Sequence, residues 1–295
     1  MIRYPISRQE LENLIEREKP GWTGRAQERT NQFAALGRYE ESSSIWSEVK
    51  VVYLRLQHGK CAYCERQLES EEYGQVEHDL EHFRPKKAAK PWTAPLALRE
   101  AGIKITAPVN GDADPGYHLL AYNPLNYCTS CKTCNSGLKK DFFPIEGKRE
   151  SKGADPARLS SEKPLLVNPV GDFDDDPAAL IGFYGLSPLA VPGPAYQRRR
   201  GLVSIAFFHL DDLKRKYLFR ERAQIIVDLY SFLGQVEHAR DPEFKGIYED
   251  IVETMTKPSA PHSNCARSYR ELYHQDKNEA GDIFRLASSY LRSIS

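Results

Sequence analysis

The sequence predicts an α+β fold that is mostly helical and contains a metal site. Apolar residues in the second half recur every three or four positions, as in Ile225, Ile226, Leu229 and Leu233, and this period is typical of helices. A short extended segment is predicted around 74–83, within otherwise irregular sequence. Two C-x-x-C pairs flank that region, and cysteines at this spacing are typical metal ligands.

The first 58 residues are predicted to form an N-terminal helical segment, 1–58. Ser7 and Glu10 form a capping box, and apolar residues at helical spacing follow to residue 18. A second helix is predicted over 45–57, where apolar and aromatic residues share one side.

The rest of the chain divides by composition into three parts. Residues 59–146 are predicted to form the metal-bound core, with an inserted surface loop at 91–116 that is rich in Pro, Gly, Ala and Asp. A short strand is considered at 103–106 within that loop. Residues 147–163 are polar without a hydrophobic period, which predicts a mobile linker, and 164–295 are predicted to be mainly helical.

Composition and charge limit the classes of function. Lys+Arg and Asp+Glu both number 41, so the formal net charge is zero and any binding of a polyanion must rely on local basic clusters. No apolar run approaches the roughly 20 residues that span a bilayer. The first 18 residues are charged and lack the apolar centre of a signal peptide, so we expect a cytoplasmic protein with no membrane partner.

Four of the six cysteines are the candidate ligands of a structural zinc ion, namely Cys61, Cys64, Cys131 and Cys134. Each C-x-x-C turn directs two thiolates to one ion, and two turns complete a tetrahedral site. Disulfides are not expected in a reducing compartment. Buried structural cysteines or a redox pair are the alternatives, and two pairs together favour zinc. Cys128 could replace one ligand, whereas Cys265 is expected to be a small core residue.

Several motifs between and around the cysteine pairs occur in a defined order. Cys-Ala-Tyr-Cys-Glu at 61–65 is followed by Glu-His-Phe-Arg-Pro-Lys at 81–86, then Asn126, then Ser-Cys-Lys-Thr-Cys-Asn at 130–135. This order resembles the HNH (ββα-metal) nuclease family, whose zinc-bearing members set the motif between paired cysteines. The resemblance is closest to the HNH proteins paired with ATPases in Septu-type and retron-associated antiphage defence. It covers roughly residues 50–225.

The resemblance implies a ββα-metal core and a role for each motif residue. His82 would be the general base, since a neutral imidazole can take a proton from water. Glu81 and Asn135 would bind a catalytic Mg²⁺ or Mn²⁺, because carboxylate and amide oxygens suit these ions. Asn126 would orient His82 or brace the neighbouring loop.

Two assignments leave alternatives open. His78, four residues before His82, is a rival general base, although it lies outside the motif. Arg84, Lys86 and Lys139 are candidate contacts for substrate phosphates, because such contacts bind the backbone without reading sequence. Isolated basic residues are more often part of a solvated surface.

The sequence therefore predicts a metal-dependent endonuclease that hydrolyses nucleic acid, with DNA favoured over RNA, and that works with an ATPase partner in antiphage defence. The alternative is a catalytically idle zinc module that binds nucleic acid or scaffolds a complex. The basic clusters at 198–200 and 214–216 could extend a nucleic-acid track or contact a partner. The set of Glu81, His82, Asn126 and Asn135 favours the enzyme, since a structural zinc module does not require it.

Overall fold

The computed structural model describes residues 1–73, 77–107 and 115–294. Within them the α-helices are α1 (Arg8–Glu18), α2 (Trp22–Leu36), α3 (Lys50–Leu56), α4 (Leu96–Glu100), α5 (Pro177–Leu180), α6 (Ala195–Phe207), α7 (Lys216–His238), α8 (Pro242–Thr256), α9 (Ser263–Gln275) and α10 (Lys277–Ile294). The strands are β1 (His78–His82), β2 (Tyr127–Cys131), β3 (Ile181–Tyr184) and β4 (Ser187–Ala190). The predicted α+β class, with helices as the main element, is confirmed.

The N-terminal capping box is present at the start of α1. The Ser7 side chain accepts a hydrogen bond from the Glu10 backbone, and the Glu10 carboxylate accepts one from the Ser7 N–H at 3.0 Å. Leu11 and Ile15 on the inner side of α1 are fully buried. Helix α2 was not predicted, because only a few of its residues are apolar and buried and they lie far apart along the helix.

Strands β1 and β2 form an antiparallel pair that is followed at once by a π-helical turn, Thr133–Lys139. The register pairs His78 with Cys131 and His82 with Tyr127. Side chains alternate between the two faces of a strand. The register therefore fixes which residues of β1 face the helical turn.

The segment 91–116 is partly built into the core. Leu98 on α4 and Ile103 are buried, and the strand considered at 103–106 is absent from the described residues. Gly116 has a φ of +64°, and a Cβ added there would lie 2.1 Å from the Lys87 carbonyl oxygen. Residues 108–114, which belong to the predicted loop, lie outside the described residues.

The predicted linker 147–163 also packs against the rest of the protein. It contains two short 3-10 turns, Pro156–Arg158 and Ser160–Glu162. Leu159 and Glu162 are 2% and 0% exposed, so this part of the expected exposed linker is wrong. The cause is a buried ion pair at Glu162, which a polar sequence without periodicity does not indicate.

The C-terminal region contributes to two hydrophobic clusters. The first cluster extends from the N-terminus through α6 to Leu218 on α7, and the second begins at Ala223 on the same helix. The second cluster is formed largely by α7, α9 and α10. A small hairpin of β3 and β4 precedes these helices and packs against α9 and α6.

The described residues contain no helix that is long and apolar enough to cross a membrane.

Candidate metal centre and adjoining site

The four predicted cysteine ligands form one buried cluster. The sulphur atoms of Cys61, Cys64, Cys131 and Cys134 all lie within 4.8 Å of one another, and the Cys64 and Cys131 sulphurs are 3.9 Å apart. A tetrahedral zinc site with Zn–S bonds of about 2.3 Å needs sulphurs roughly 3.8 Å apart. The cluster could therefore hold a metal such as zinc.

The two remaining cysteines lie outside this cluster. The Cys128 thiol donates to the Tyr63 hydroxyl at 3.3 Å, and burial raises the pKa of Cys128 to about 12. The Cys265 thiol lies in the second hydrophobic cluster, with its sulphur 3.5 Å from the Gly185 carbonyl oxygen. Cys265 is thus the small core residue that was expected.

A half-buried cation lies beside the cysteine cluster. The Nη2 atom of Arg215, at the start of α7, is 3.6 Å from the Cys134 sulphur, and its Nη1 donates to the Phe208 carbonyl oxygen at 2.6 Å. Four thiolates on one zinc ion carry a net negative charge, so this guanidinium is favourable there. The central residue of the basic cluster 214–216 therefore points towards the metal centre.

The residues on either side of the first cysteine pair contact the loop that precedes α9 and the first residue of α9. The Lys60 ammonium donates to the carbonyl oxygens of Pro258 and Ala260 at 2.5 and 2.8 Å, and burial lowers the pKa of Lys60 to about 8. The Glu65 carboxylate accepts a hydrogen bond from the Ser263 hydroxyl at 3.1 Å. These bonds join the metal centre to the C-terminal helices.

His82 is held at the end of β1 in a mostly aromatic setting. Its Nε2 lies 3.0 Å from the Ala121 carbonyl oxygen, and its ring meets Trp46 and Tyr127 edge to face, with centroids 5.0 Å apart in each case. Because a carbonyl oxygen only accepts, Nε2 carries the proton and Nδ1 keeps its lone pair. Burial lowers the pKa of His82 well below its usual value, so the ring is neutral near pH 7.

Asn126 braces the loop that follows His82. Its Oδ1 accepts from the Arg84 backbone N–H at 2.8 Å, and its Nδ2 donates to the carbonyl oxygens of Arg84 and Leu120 at 3.0 Å. The Phe83 N–H donates to the Asn126 carbonyl oxygen at 2.8 Å. Asn126 is fully buried, and its hydrogen bonds fix the backbone next to His82.

Glu81 lies on the other face of β1, where it pairs with Lys139 of the π-helical turn. The Lys139 Nζ is 3.4 Å from the Glu81 Oε1, and the two side chains are 0% and 7% exposed. Burial raises the pKa of Glu81 to about 7, although Lys139 opposes this shift. Lys139, expected as a phosphate contact, is therefore inside the protein.

Asn135 contacts Asp79, the residue two positions before Glu81 on the same face of β1. The Asn135 Nδ2 donates to the Asp79 Oδ2 at 2.9 Å, and the Lys132 ammonium pairs with the other carboxylate oxygen. Because a carboxylate only accepts, the amide nitrogen must face Asp79 and Oδ1 is turned away from it. Sequence reasoning missed Asp79, which the two-residue period of a strand could have indicated.

Arg84 is buried in an ion pair and does not belong to an exposed basic rim. Its Nε is 3.2 Å from the Glu162 Oε2, with side chains 3% and 0% exposed, and its guanidinium lies 5.1 Å from the Phe143 ring centroid. Glu162 also accepts from the Tyr117 hydroxyl at 2.8 Å and the Glu150 N–H at 2.7 Å. This placement leaves Arg84 unsuited to contact a phosphate.

Lys86 is half-buried beside the aromatic residues that surround His82. Its Nζ lies 4.5 Å from the Trp46 ring centroid and 5.5 Å from that of Tyr39. Burial lowers the pKa of Lys86. Of the three predicted phosphate contacts, Lys86 is the one that is neither fully buried nor held in a buried ion pair.

His78 lies at the opposite end of β1 from His82. Its side chain is 2% exposed, and burial lowers its pKa to about 4. Neither ring nitrogen has a hydrogen-bond partner within residues 1–73, 77–107 and 115–294. No contact orients the ring towards Glu81 or Asn135 among the residues that the structure describes.

Comparisons with known proteins give one informative similarity. No family model matches the chain, and no solved structure matches it. The chain is 32% identical over 181 residues to the Septu protein PtuB of Bacillus mycoides strain KBAB4. The matched region covers 61% of this chain and 52% of the relative, so it spans about half the length of that protein. The similarity supports the Septu-type part of the resemblance and leaves the nuclease chemistry to be tested.

We expect one zinc ion per chain and a fold that depends on it. Changing Cys61 or Cys131 to Ser should remove zinc and unfold the core, because ion binding and folding are coupled in such sites. Metal analysis by mass spectrometry and circular dichroism would measure both effects. Cys128→Ser is the matched control, since this buried cysteine lies outside the cluster, and it should keep its zinc. A folded Cys61→Ser protein without zinc would contradict the assignment.

Glu162→Gln should lower the free energy of unfolding by about 3–5 kcal/mol, because it leaves the buried Arg84 guanidinium without its charged partner. Urea denaturation would measure this loss. Glu40→Gln breaks the exposed pair of Arg38 and Glu40, whose side chains are 63% and 60% exposed, and should have little effect. Equal effects of the two substitutions would contradict the role of the buried pair.

Proposed function

We propose that this chain is a metal-dependent HNH endonuclease and the nuclease component of a Septu-type antiphage defence system. The observation that carries the proposal is the packing of the turn Thr133–Lys139, which contains Cys134 and Asn135, on the face of β1 that carries Asp79 and Glu81, with His82 at the end of the same strand. β1, β2 and the turn Thr133–Lys139 have the order strand, strand, helix that a ββα-metal core requires. A structural zinc module has no need of these polar residues.

His82 has the properties of a general base for hydrolysis. Its Nδ1 takes a proton from water as the water oxygen attacks phosphorus, and the bond from phosphorus to the leaving oxygen breaks. The hydrogen bond from Nε2 to the Ala121 carbonyl oxygen stabilises the tautomer that this step needs and also the charged ring that it forms.

The carboxylate and amide oxygens on the Asp79–Glu81 face of β1 are of the type that a hard divalent ion prefers. Glu81 supplies a buried carboxylate, and the Oδ1 of Asn135 is the amide atom directed away from Asp79. These two groups would hold Mg²⁺ or Mn²⁺, and Asp79 is a positioning residue that orients the amide. When bound, the ion supplies stabilisation of charge on the phosphate and on the leaving oxygen.

Nucleic acid is the proposed substrate, with DNA preferred over RNA. Before any substrate binds, Lys86 is the candidate for a phosphate contact near His82, since Arg84 and Lys139 are both held in buried ion pairs. The proposed partner is an ATPase of the same defence system. This part of the proposal is supported by the similarity to PtuB, which extends over about half of that protein.

The alternative, a zinc module that scaffolds a complex without cleaving nucleic acid, is favoured by one observation. Glu81 and His82 are both 6% exposed, so the residues assigned to catalysis are nearly closed to solvent. In an enzyme with this arrangement, the site around Glu81 and His82 must open slightly, or a partner must activate it. Plasmid DNA and total RNA incubated with the chain in magnesium, with and without the neighbouring ATPase, would separate the two functions.

His82→Gln should reduce cleavage by about 10²–10⁴-fold, since the amide can still donate to Ala121 but cannot accept the proton. The fold and the zinc content should be retained, as measured by thermal melting and metal analysis. His78→Gln is the matched control, because it changes a second buried histidine of the same strand, and its activity should be close to that of the wild type. Loss of activity in His78→Gln alone would move the general base to His78.

Asn135→Ala should also lose activity, and excess Mn²⁺ should restore part of it, because the substitution weakens the binding of an ion that mass action can replace. Cleavage rates across a titration of Mn²⁺ would measure this rescue. The same titration should not rescue His82→Gln. Equal rescue of both variants would contradict the separate roles of the two residues.

A further inference from the structure

The buried pair of Glu81 and Lys139 places a cation where the proposed catalytic ion would compete for the same carboxylate. The Lys139 Nζ lies 3.4 Å from the Glu81 Oε1, and the lysine side chain is completely buried. Within the part of the chain that the structure describes, this ammonium makes no hydrogen bond of ordinary geometry. It is therefore held mainly by its charge interaction with Glu81.

Both carboxylates on this face of β1 are paired with an ammonium group without any bound ion. The carboxylates of Asp79 and Glu81 are paired with the ammonium groups of Lys132 and Lys139, respectively. Asn135, which lies between the two lysines in the chain, is neutral. A divalent ion added to this face would bring two uncompensated positive charges next to a buried ammonium.

We propose that the Lys139 ammonium is the cation that pairs with Glu81 when no substrate is bound, and that it makes binding of the divalent ion depend on nucleic acid. This inference rests on the proposed function. A phosphodiester brings the negative charge that the site lacks, and the flexible lysine can turn its ammonium from Glu81 to a phosphate oxygen. Glu81 is then free for the ion, so ion and substrate bind together and each binds weakly alone.

The coupling has a clear physical origin. A divalent ion and an ammonium group a few ångströms apart repel strongly in a buried site, where the effective dielectric constant is far below that of water. Exchanging the carboxylate for a phosphate preserves the pairing of the lysine while releasing the ligand. Lys140, the next residue, is exposed and provides a comparison at nearly the same place in the chain.

The test measures Mn²⁺ binding to the full chain by calorimetry and by electron paramagnetic resonance, with and without a short phosphorothioate DNA duplex. The wild type should bind Mn²⁺ at least about tenfold more tightly with the duplex. Lys139→Met should bind Mn²⁺ without the duplex at least about tenfold more tightly than the wild type, and the duplex should add little. Lys140→Met should behave as the wild type.

Lys139→Arg keeps the charge and should keep the coupling, so the proposal remains testable if removal of the lysine prevents folding. Equal Mn²⁺ affinity of the wild type with and without the duplex would overturn this inference while leaving the proposed function intact. Absence of Mn²⁺ binding to every variant in both conditions would overturn the catalytic ion of the proposed function, and this inference with it.

Discussion

The interaction on which the rest of the structure depends is the convergence of four cysteine sulphurs from two distant segments. Four buried thiolates so close together would repel one another, and a bound zinc ion would remove that repulsion and fix the positions of both segments. Cys131 ends β2 and lies opposite His78, so the position of the second cysteine pair also sets the register of the β-ladder. Through that register the metal centre determines where Glu81 and His82 lie.

The same constraint explains why the sequence was informative about the centre of the molecule. A motif with fixed spacing identifies residues that bind the same ion and therefore lie close together. The clustering of Cys61, Cys64, Cys131 and Cys134 could be predicted from their spacing alone. The capping box at Ser7 could also be predicted from the sequence, because it depends on residues three positions apart. Local rules of this kind are independent of the tertiary fold.

Predictions were weaker where the tertiary fold decides the outcome. Basic residues near His82 were expected at the surface, yet Arg84 and Lys139 are buried because Glu162 and Glu81 pair with them. The sequence does not show which charged side chains form ion pairs in the interior, and the partner of Arg84 lies far along the chain. Asp79 was missed for a related reason, since its contact with Asn135 exists only after β1 meets the helical turn.

The hydrogen bonds around the inserted segment bear on how this fold can change. The Lys90 N–H donates to the Asp141 carbonyl oxygen and the Tyr117 N–H to that of Pro85, both at 2.9 Å, so core residues fix the chain on either side of the segment. Changes of length away from the buried Leu98 and Ile103 can then leave the site in place, because the cost of closing a loop rises only slowly with its length. Evolution could exchange this segment for longer or shorter ones, and so alter what approaches the site, while the metal centre stays the same.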